Sequence, residues 1–224
     1  MSPERTDRPQ VFSLCDREWD LLDELFAPAF SPSTALAVDF LDLAGPHSAP
    51  RGGSFLEVGC GAGVVAVMAA LAGYDRVVAS DIIPRAVENA AVNAERHEVQ
   101  DRLSALHSDL FSGLSDGDRF DVIFWSSNYV RAPEDHRYRS VQESASADSD
   151  RAHRRYLEQA PHWLTPEGSA LLHLSDRGDV PALYRIAEEC GRELSVLRSH
   201  RVREGQYGDA MVEHLLVRIL PVRT

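Results

Sequence analysis

Glu57, the glycines Gly59, Gly61 and Gly63, then Asp81, Asp109 and the run Ser126-Ser127-Asn128-Tyr129 are the residues whose types and spacing can do chemistry here. Glycines at alternate positions let the backbone approach a ligand and adopt dihedrals that a Cβ forbids. Glu57, just before them, offers acceptor oxygens, which suits hydroxyl groups better than a bare phosphate. Asp81 follows the glycines by roughly twenty residues, the spacing at which a carboxylate reaches both hydroxyls of a ribose. Asp109 is placed to accept from an exocyclic amine. Each signal alone is weak, because a Gly-rich turn is often only a tight turn and an Asp after a strand is often only a helix cap. Together they point to a nucleoside-bearing ligand.

The elements that must position these residues alternate in type. Strands are predicted near 54–58, 77–80, 103–107, 121–126 and 170–175. Helices are predicted near 62–72, 84–96, 150–163 and 181–191. Such alternation argues for a doubly wound α/β fold with a mostly parallel sheet covered on both faces. Each candidate residue then falls at the carboxyl end of a strand, where open α/β sheets bind ligands. The runs 194–202 and 211–220 are strand-like and separated by a short Gly-containing loop. They predict an antiparallel pair, since a parallel crossover needs a dozen or more residues. Before the first strand, 17–26 and 33–43 read as two helices, with Ser33 as N-cap. The division expected is an N-terminal helical segment over 1–45 and an α/β domain over 46–224. The polar stretch 131–150 is long enough to be a lid or a surface excursion.

Composition narrows the partners. Acidic residues outnumber basic ones, 35 to 23, for a net charge of −12. Nucleic-acid binders usually carry a basic face, so a small molecule or a basic protein fits better. Every basic residue is Arg and there is no Lys, which excludes Schiff-base chemistry and a P-loop lysine. Cys15, Cys60 and Cys190 lack metal-ligand spacing, so no metal site is expected, and they suit a reducing cytoplasm. The polar N-terminus is no signal peptide, and no apolar run is long enough to span a membrane. Oligomeric state is not legible.

Glu57-Val58-Gly59-Cys60-Gly61-Ala62-Gly63, with Asp81 and Asp109, resembles the first motif and acidic positions of class I S-adenosylmethionine (SAM) dependent methyltransferases. A dinucleotide-binding dehydrogenase would space its glycines G-x-G-x-x-G instead. The resemblance covers roughly residues 26–220. It implies a Rossmann-like seven-stranded sheet, mostly parallel with an antiparallel last strand, and SAM as cofactor. It implies cofactor contacts from Glu57, Gly59, Cys60, Gly61, Gly63, Asp81, Ile82, Asp109, Leu110 and Ser126, and from Thr34 in an N-terminal segment folded over the site. Asp81-Ile82-Ile83-Pro84-Arg85-Ala86-Val87, Asn89, Asn93 and Ser108-Asp109-Leu110-Phe111 are similar to the branch holding HemK-like protein-glutamine and RsmC-like ribosomal RNA guanine methyltransferases. That branch carries Asn-Pro-Pro-Tyr after its fourth strand; this chain has Ser126-Ser127-Asn128-Tyr129 and neither proline. The ribosomal protein L11 methyltransferase branch also lacks the prolines.

The resemblance implies in-line methyl transfer, in which the protein supplies alignment, a dry pocket and, for a hydroxyl acceptor, a base. Asn128, Tyr129, Ser126 and Tyr156 are the candidate catalytic residues. Trp125, Ser175, Phe30, Ser31, Tyr207 and His214 are further candidates to line the site. The acceptor expected is a small molecule or a protein side chain. Loss of the amide-gripping prolines leaves two alternatives: a SAM-cyclising azetidine-2-carboxylate synthase, with aromatic rings around the sulfonium, or a SAM-binding module without catalysis.

Overall fold

The structure, a computed structural model, describes residues 10–23, 25, 32–45, 50–127, 149–204 and 210–222. Its centre is a seven-stranded sheet of β3 (Ser54–Val58), β4 (Arg76–Asp81), β5 (Leu103–His107), β6 (Phe120–Ser126), β7 (Leu164–Ser175), β8 (Arg192–Glu204) and β9 (Ala210–Pro221). The strand order is β5-β4-β3-β6-β7-β9-β8. Pairings among β3 to β7 are parallel, whereas β9 runs antiparallel to both β7 and β8. The expected fold class is therefore observed, with the last strand inserted one place in from the edge. The order reverses between β3 and β6, so the crevice between their carboxyl ends is the topological switch point at which such sheets take ligands.

Alternation along the strands divides the core. On β3, Phe55 joins the cluster beneath α1 (Ser33–Phe40), α2 (Val64–Leu71) and α3 (Pro84–Arg96). Its neighbour Leu56 joins the cluster beneath α4 (Ser149–Gln159) and α5 (Val180–Glu189). This is the period-two signature of a strand buried on both faces. Residues Val64 to Ala70 of α2 are all buried, so α2 is enclosed between the sheet and its neighbouring helices. That explains why it is apolar all round.

The N-terminal segment departs from expectation. Arg17–Asp20 is strand β2, paired antiparallel with β1 (Val11–Leu14), and not the start of a helix. Cys15 and Asp16 both have positive φ, 51° and 57°, as a two-residue hairpin turn of type I′ demands. Trp19 and Phe12 face each other in register and are buried. Two buried asparagines of α3 anchor this hairpin. Asn93 accepts from Asp20 N–H at 2.8 Å and donates to the carbonyls of Asp20 and Ala62. Asn89 accepts from Leu22 N–H and donates to the Asp20 carbonyl. Asn93 thus ties hairpin, helix and glycine loop together. At α1 the cap is Pro32, and Ser33 is the first helical residue. The helix predicted over 150–163 ends at Gln159 and gives way to a 3₁₀ turn at Ala160–Trp163.

Candidate active site

A cavity of about 420 Å³ opens at the carboxyl ends of β3, β4, β5 and β6. Glu57, Gly59, Cys60, Gly61, Asp81, Ile82, Asp109, Leu110, Ser126 and Thr34 all line it, as does Trp125. Thus ten of the positions implied for the cofactor share one cleft. Gly63 stands behind the wall, at the head of α2, with φ 78°.

The glycine loop is shaped from its own ends. Gly59, Gly61 and Gly63 all have positive φ. Gly61 N–H donates to Asp81 Oδ2 at 2.9 Å, and Ile83 N–H to Asp81 Oδ1 at 2.9 Å. Asp81 therefore fixes the loop on one side and the entry to α3 on the other. Burial holds its carboxyl above the usual range, partly offset by those amides. Glu57 accepts from Ala66 N–H in the first turn of α2 at 2.7 Å. A carboxylate there satisfies a helix donor that lacks an intrahelical partner. Burial raises the Glu57 carboxyl strongly, the Ala66 amide lowers it, and Asp81 raises it further.

The third strand end is held by two side chains, Ser108 and Arg155, to which the sequence assigned no role. Leu110 has φ 55°, a conformation costly for a residue with a Cβ. Buried Ser108 stabilises it, its hydroxyl donating to the Leu110 carbonyl and accepting from Gly113 N–H, both at 2.9 Å. Arg155 from α4 donates to both carboxylate oxygens of Asp109, at 3.0 and 2.8 Å. Asp109 thus already has a charged partner, and Arg155 joins Ser149, Arg151 and Ala152 in the wall that α4 presents to the cavity. The apolar face of Ile82 is left 48% exposed at the rim.

Tyr156 does not reach the cavity. Its ring is buried against Phe111 and Trp125, and its hydroxyl donates to the Leu171 carbonyl at 2.8 Å. It is a core residue, because the face of α4 that carries it packs on the sheet. Ser175 and His214 also lie away from the cavity lining. Asn128, Tyr129, Phe30, Ser31 and Tyr207 lie outside the described residues, as does most of the 131–150 stretch. Among the described residues, no cluster of three or more His, Cys, Asp or Glu side chains could hold a metal, and no helix is long and apolar enough to cross a membrane.

Behind Ser127 sits His153, fully buried, its Nε2 2.7 Å from the serine hydroxyl. Burial pushes its imidazole down to about 4, against the opposing pull of Asp150 and a Ser149 backbone contact. Because the folded value lies below the unfolded one, this histidine's stability contribution is complete above pH 6.5. It is lost as pH falls toward 4. The gap corresponds to on the order of 3 kcal/mol. His173, pushed down to about 3, acts in the same sense over a wider window; the raised carboxyls of Glu57 and Asp81 act in the opposite one. Urea midpoints measured at pH 7 and 4.5 should fall in acid, and His153→Gln should flatten that fall. An unchanged slope would show that His153 takes up no proton on unfolding.

Residues 31–127 match the family model for ribosomal protein L11 methyltransferase (PrmA). The chain is 34% identical over 101 residues to the ribosomal protein L11 methyltransferase of Burkholderia vietnamiensis, covering 44% of this chain and 29% of that protein. It is 38% identical over 82 residues to the Azotobacter vinelandii enzyme of the same name, covering 37% of this chain and 27% of that one. The matched segment thus spans less than a third of these curated relatives. Among solved structures, ribosomal protein L11 methylase from Lactobacillus delbrueckii subsp. bulgaricus superposes with a TM-score of 0.56 at 18% identity, covering 83% of this chain and 77% of that one. The T. thermophilus 16S rRNA N2 G1207 methyltransferase (RsmC), solved with AdoMet and guanosine, gives 0.61 at 18%, covering 95% and 50%. Strand order, switch-point cleft and glycine loop agree with these likenesses: the described residues have the Rossmann-like fold of the class I SAM-dependent methyltransferases, and the segment 31–127 matches the PrmA family model.

Proposed function

We propose that this chain is a SAM-dependent methyltransferase acting on a nucleophile of a protein, with ribosomal protein L11 as the first acceptor to test. The observation that carries the reading is the cleft itself: a glycine loop, Asp81 and the Leu110 turn at three successive strand ends, within the PrmA-like segment. The fit to the cofactor is physical. A Cβ on Gly61 would meet no protein atom within 4 Å, so the space beside the loop is left for a ligand. The remaining lone pairs of Asp81 can accept from vicinal hydroxyls, and Ile82 and Leu110 offer apolar surface to a base. The volume suits a ligand of this size.

When bound, SAM supplies an activated methyl carbon and a neutral thioether leaving group. The protein's share is alignment and exclusion of water. Glu57 holds the head of α2 and Asp81 holds the loop. Trp125 walls the cavity beside Gly59, and Ser126 offers a hydroxyl where β6 ends. The net charge of −12 favours approach of a basic protein. HemK-like glutamine chemistry loses support where the prolines are absent.

The experiment is calorimetric binding of SAM, followed by transfer of a radiolabelled methyl group to purified ribosomal protein L11. Saturable SAM binding and labelled L11 are expected. Methylthioadenosine released from SAM alone would establish cyclisation instead, and binding without turnover on a panel of protein and small-molecule acceptors would leave a binding module.

A further inference from the structure

Four adjacent strands each contribute one polar side chain to a continuous line. Ser126 Oγ on β6 lies 2.9 Å from His173 Nδ1 on β7. His173 Nε2 lies 3.1 Å from His214 Nδ1 on β9. His214 Nε2 lies 2.7 Å from Glu204 Oε1 on β8. The other oxygen of Glu204 meets Arg177 at 2.9 Å. Ser126 lines the cavity, His173, His214 and Glu204 are buried, and Arg177 is 41% exposed at the far end. The line therefore begins at the candidate active site and ends at solvent.

We propose that Ser126, His173, His214 and Glu204 form a proton-exit relay that takes a proton from the methyl acceptor. The inference rests on the methyltransferase reading and adds that the acceptor must carry a proton to lose. It fits an O–H or N⁺–H nucleophile, whose proton must leave for the new bond to carbon to form.

One assignment of protons satisfies every contact. Ser126 donates to His173 Nδ1, His173 Nε2–H to His214 Nδ1, and His214 Nε2–H to Glu204, whose other oxygen accepts from Arg177. All donors then point away from the cavity. As the acceptor atom forms its bond to carbon and the carbon–sulfur pair departs with sulfur, the acceptor's proton passes to Ser126 Oγ. The serine proton moves to His173 Nδ1, the His173 Nε2 proton to His214 Nδ1, and the His214 Nε2 proton to Glu204, which releases it to water beside Arg177. One proton leaves the cavity per transfer and no redox partner is needed; the two imidazoles, left as Nδ1–H tautomers, return to the starting tautomers before the next transfer.

The surroundings favour conduction over storage. His173 packs against the Phe40 ring of α1 at 5.6 Å in a T-shaped contact, with Ser126 and His214 at its nitrogens. Burial, and then the neighbouring His214, push it down to about 3. A proton arriving there is driven onward, which gives the second histidine and the carboxylate a purpose. A purely structural polar cluster in this core would be poor economy, because buried ionic networks are often replaceable by apolar side chains at no loss of stability. The imidazoles also lie in a line and do not converge, so they form no metal centre.

The test is NMR of the histidine ring nitrogens in the full chain, free and saturated with S-adenosylhomocysteine. At pH 7.5 His173 should accept at Nδ1 and donate at Nε2, and Ser126→Ala should perturb His173 Nδ1. An Nδ1–H tautomer at His173 overturns the relay, because that nitrogen could not accept. In single-turnover transfer to L11, His173→Gln should slow the reaction on the order of 10²-fold, with S-adenosylhomocysteine affinity held within about 3-fold. Glu204→Gln, at the solvent end and less exposed to misfolding, should slow it on the order of 10-fold. Rates equal to wild type in a folded Glu204→Gln, or a loss confined to KM, overturn it. Wild-type protein that binds no S-adenosylhomocysteine refutes the cofactor reading, and wild-type protein that leaves L11 unlabelled refutes the acceptor. In both cases the tautomers still decide the relay.

Discussion

Replacing Asp81 with Ala should weaken SAM binding by on the order of 10²- to 10³-fold. The carboxylate has two jobs at the end of β4. Its oxygens already receive Gly61 N–H and Ile83 N–H, each keeps further acceptor capacity, and the residue lines the cavity. Charge-assisted hydrogen bonds to two ligand hydroxyls are worth about 1.5–3 kcal/mol each, and 1.4 kcal/mol is a factor of ten in affinity. Loss of the two internal bonds also frees the glycine loop, so the bound loop must be ordered at the ligand's expense. Asp81→Asn separates the contributions. Its carbonyl oxygen can keep the Ile83 contact, but its NH₂ then faces Gly61 N–H, donor against donor. It should bind with intermediate affinity and a disturbed loop. Calorimetry with SAM and S-adenosylhomocysteine, beside unliganded melting curves, reads both effects. An affinity change below about 5-fold in Asp81→Ala would show that the ligand's hydroxyls are held elsewhere.

Local patterns made the sheet legible. The runs ending at Glu57-Val58, Asp81, His107 and Ser126 are short, apolar and followed by turn residues, and each became a parallel strand. The short spacing between the last two runs dictated their antiparallel pairing, which β8 and β9 show. The N-terminal hairpin was not legible because its turn, Cys15-Asp16, contains no glycine, and because Leu21, Leu22, Leu25 and Phe26 continue an apolar pattern at helical spacing. Trp19 and Leu21, two apart and both buried, carried the opposite period. Such a conflict of periods is settled by tertiary contacts, here the two asparagines of α3.

Within the site, what was legible belonged to contiguous motifs, and what was missed depends on strands meeting. The loop, Asp81 and the Asp109 turn are readable because each lies directly after its strand. Arg155 pairs with Asp109 only because α4 packs beside β5's end. The line from Ser126 to Glu204 exists only because β9 inserts between β7 and β8, bringing His214 between His173 and Glu204. No spacing along the chain announces that. Tyr156 illustrates the converse: an aromatic at a suggestive position whose helix face turns it into the core.

Gly63→Ala should destabilise the fold by about 3 kcal/mol and collapse the cofactor cleft, whereas Gly61→Ala should cost about 1 kcal/mol and act mainly on binding. Both glycines have positive φ, 78° and 53°, so both substitutions carry the left-handed cost of roughly 1–2 kcal/mol. They differ in what the new methyl group meets. At Gly63 it would lie 2.7 Å from both Cα and Cβ of Ala90 in α3, whereas at Gly61 it meets nothing within 4 Å. The first collision is with rigid backbone, and overpacking of that kind adds roughly 1–3 kcal/mol. Relief requires α2 to move off α3, which pulls Ala66 N–H from Glu57 and Ala62 O from Asn93. The added methyl of Gly61→Ala instead enters ligand space. Urea unfolding paired with SAM calorimetry separates the two. A double-mutant cycle with Ala90→Gly supplies the decisive arm. That helix glycine costs about 1 kcal/mol alone, yet combined with Gly63→Ala it removes one colliding methyl and should show a favourable coupling of about 1–2 kcal/mol. Strict additivity would mean that the Ala90 methyl adds nothing to the strain at Gly63, which would then come from its backbone dihedral and the Ala90 Cα.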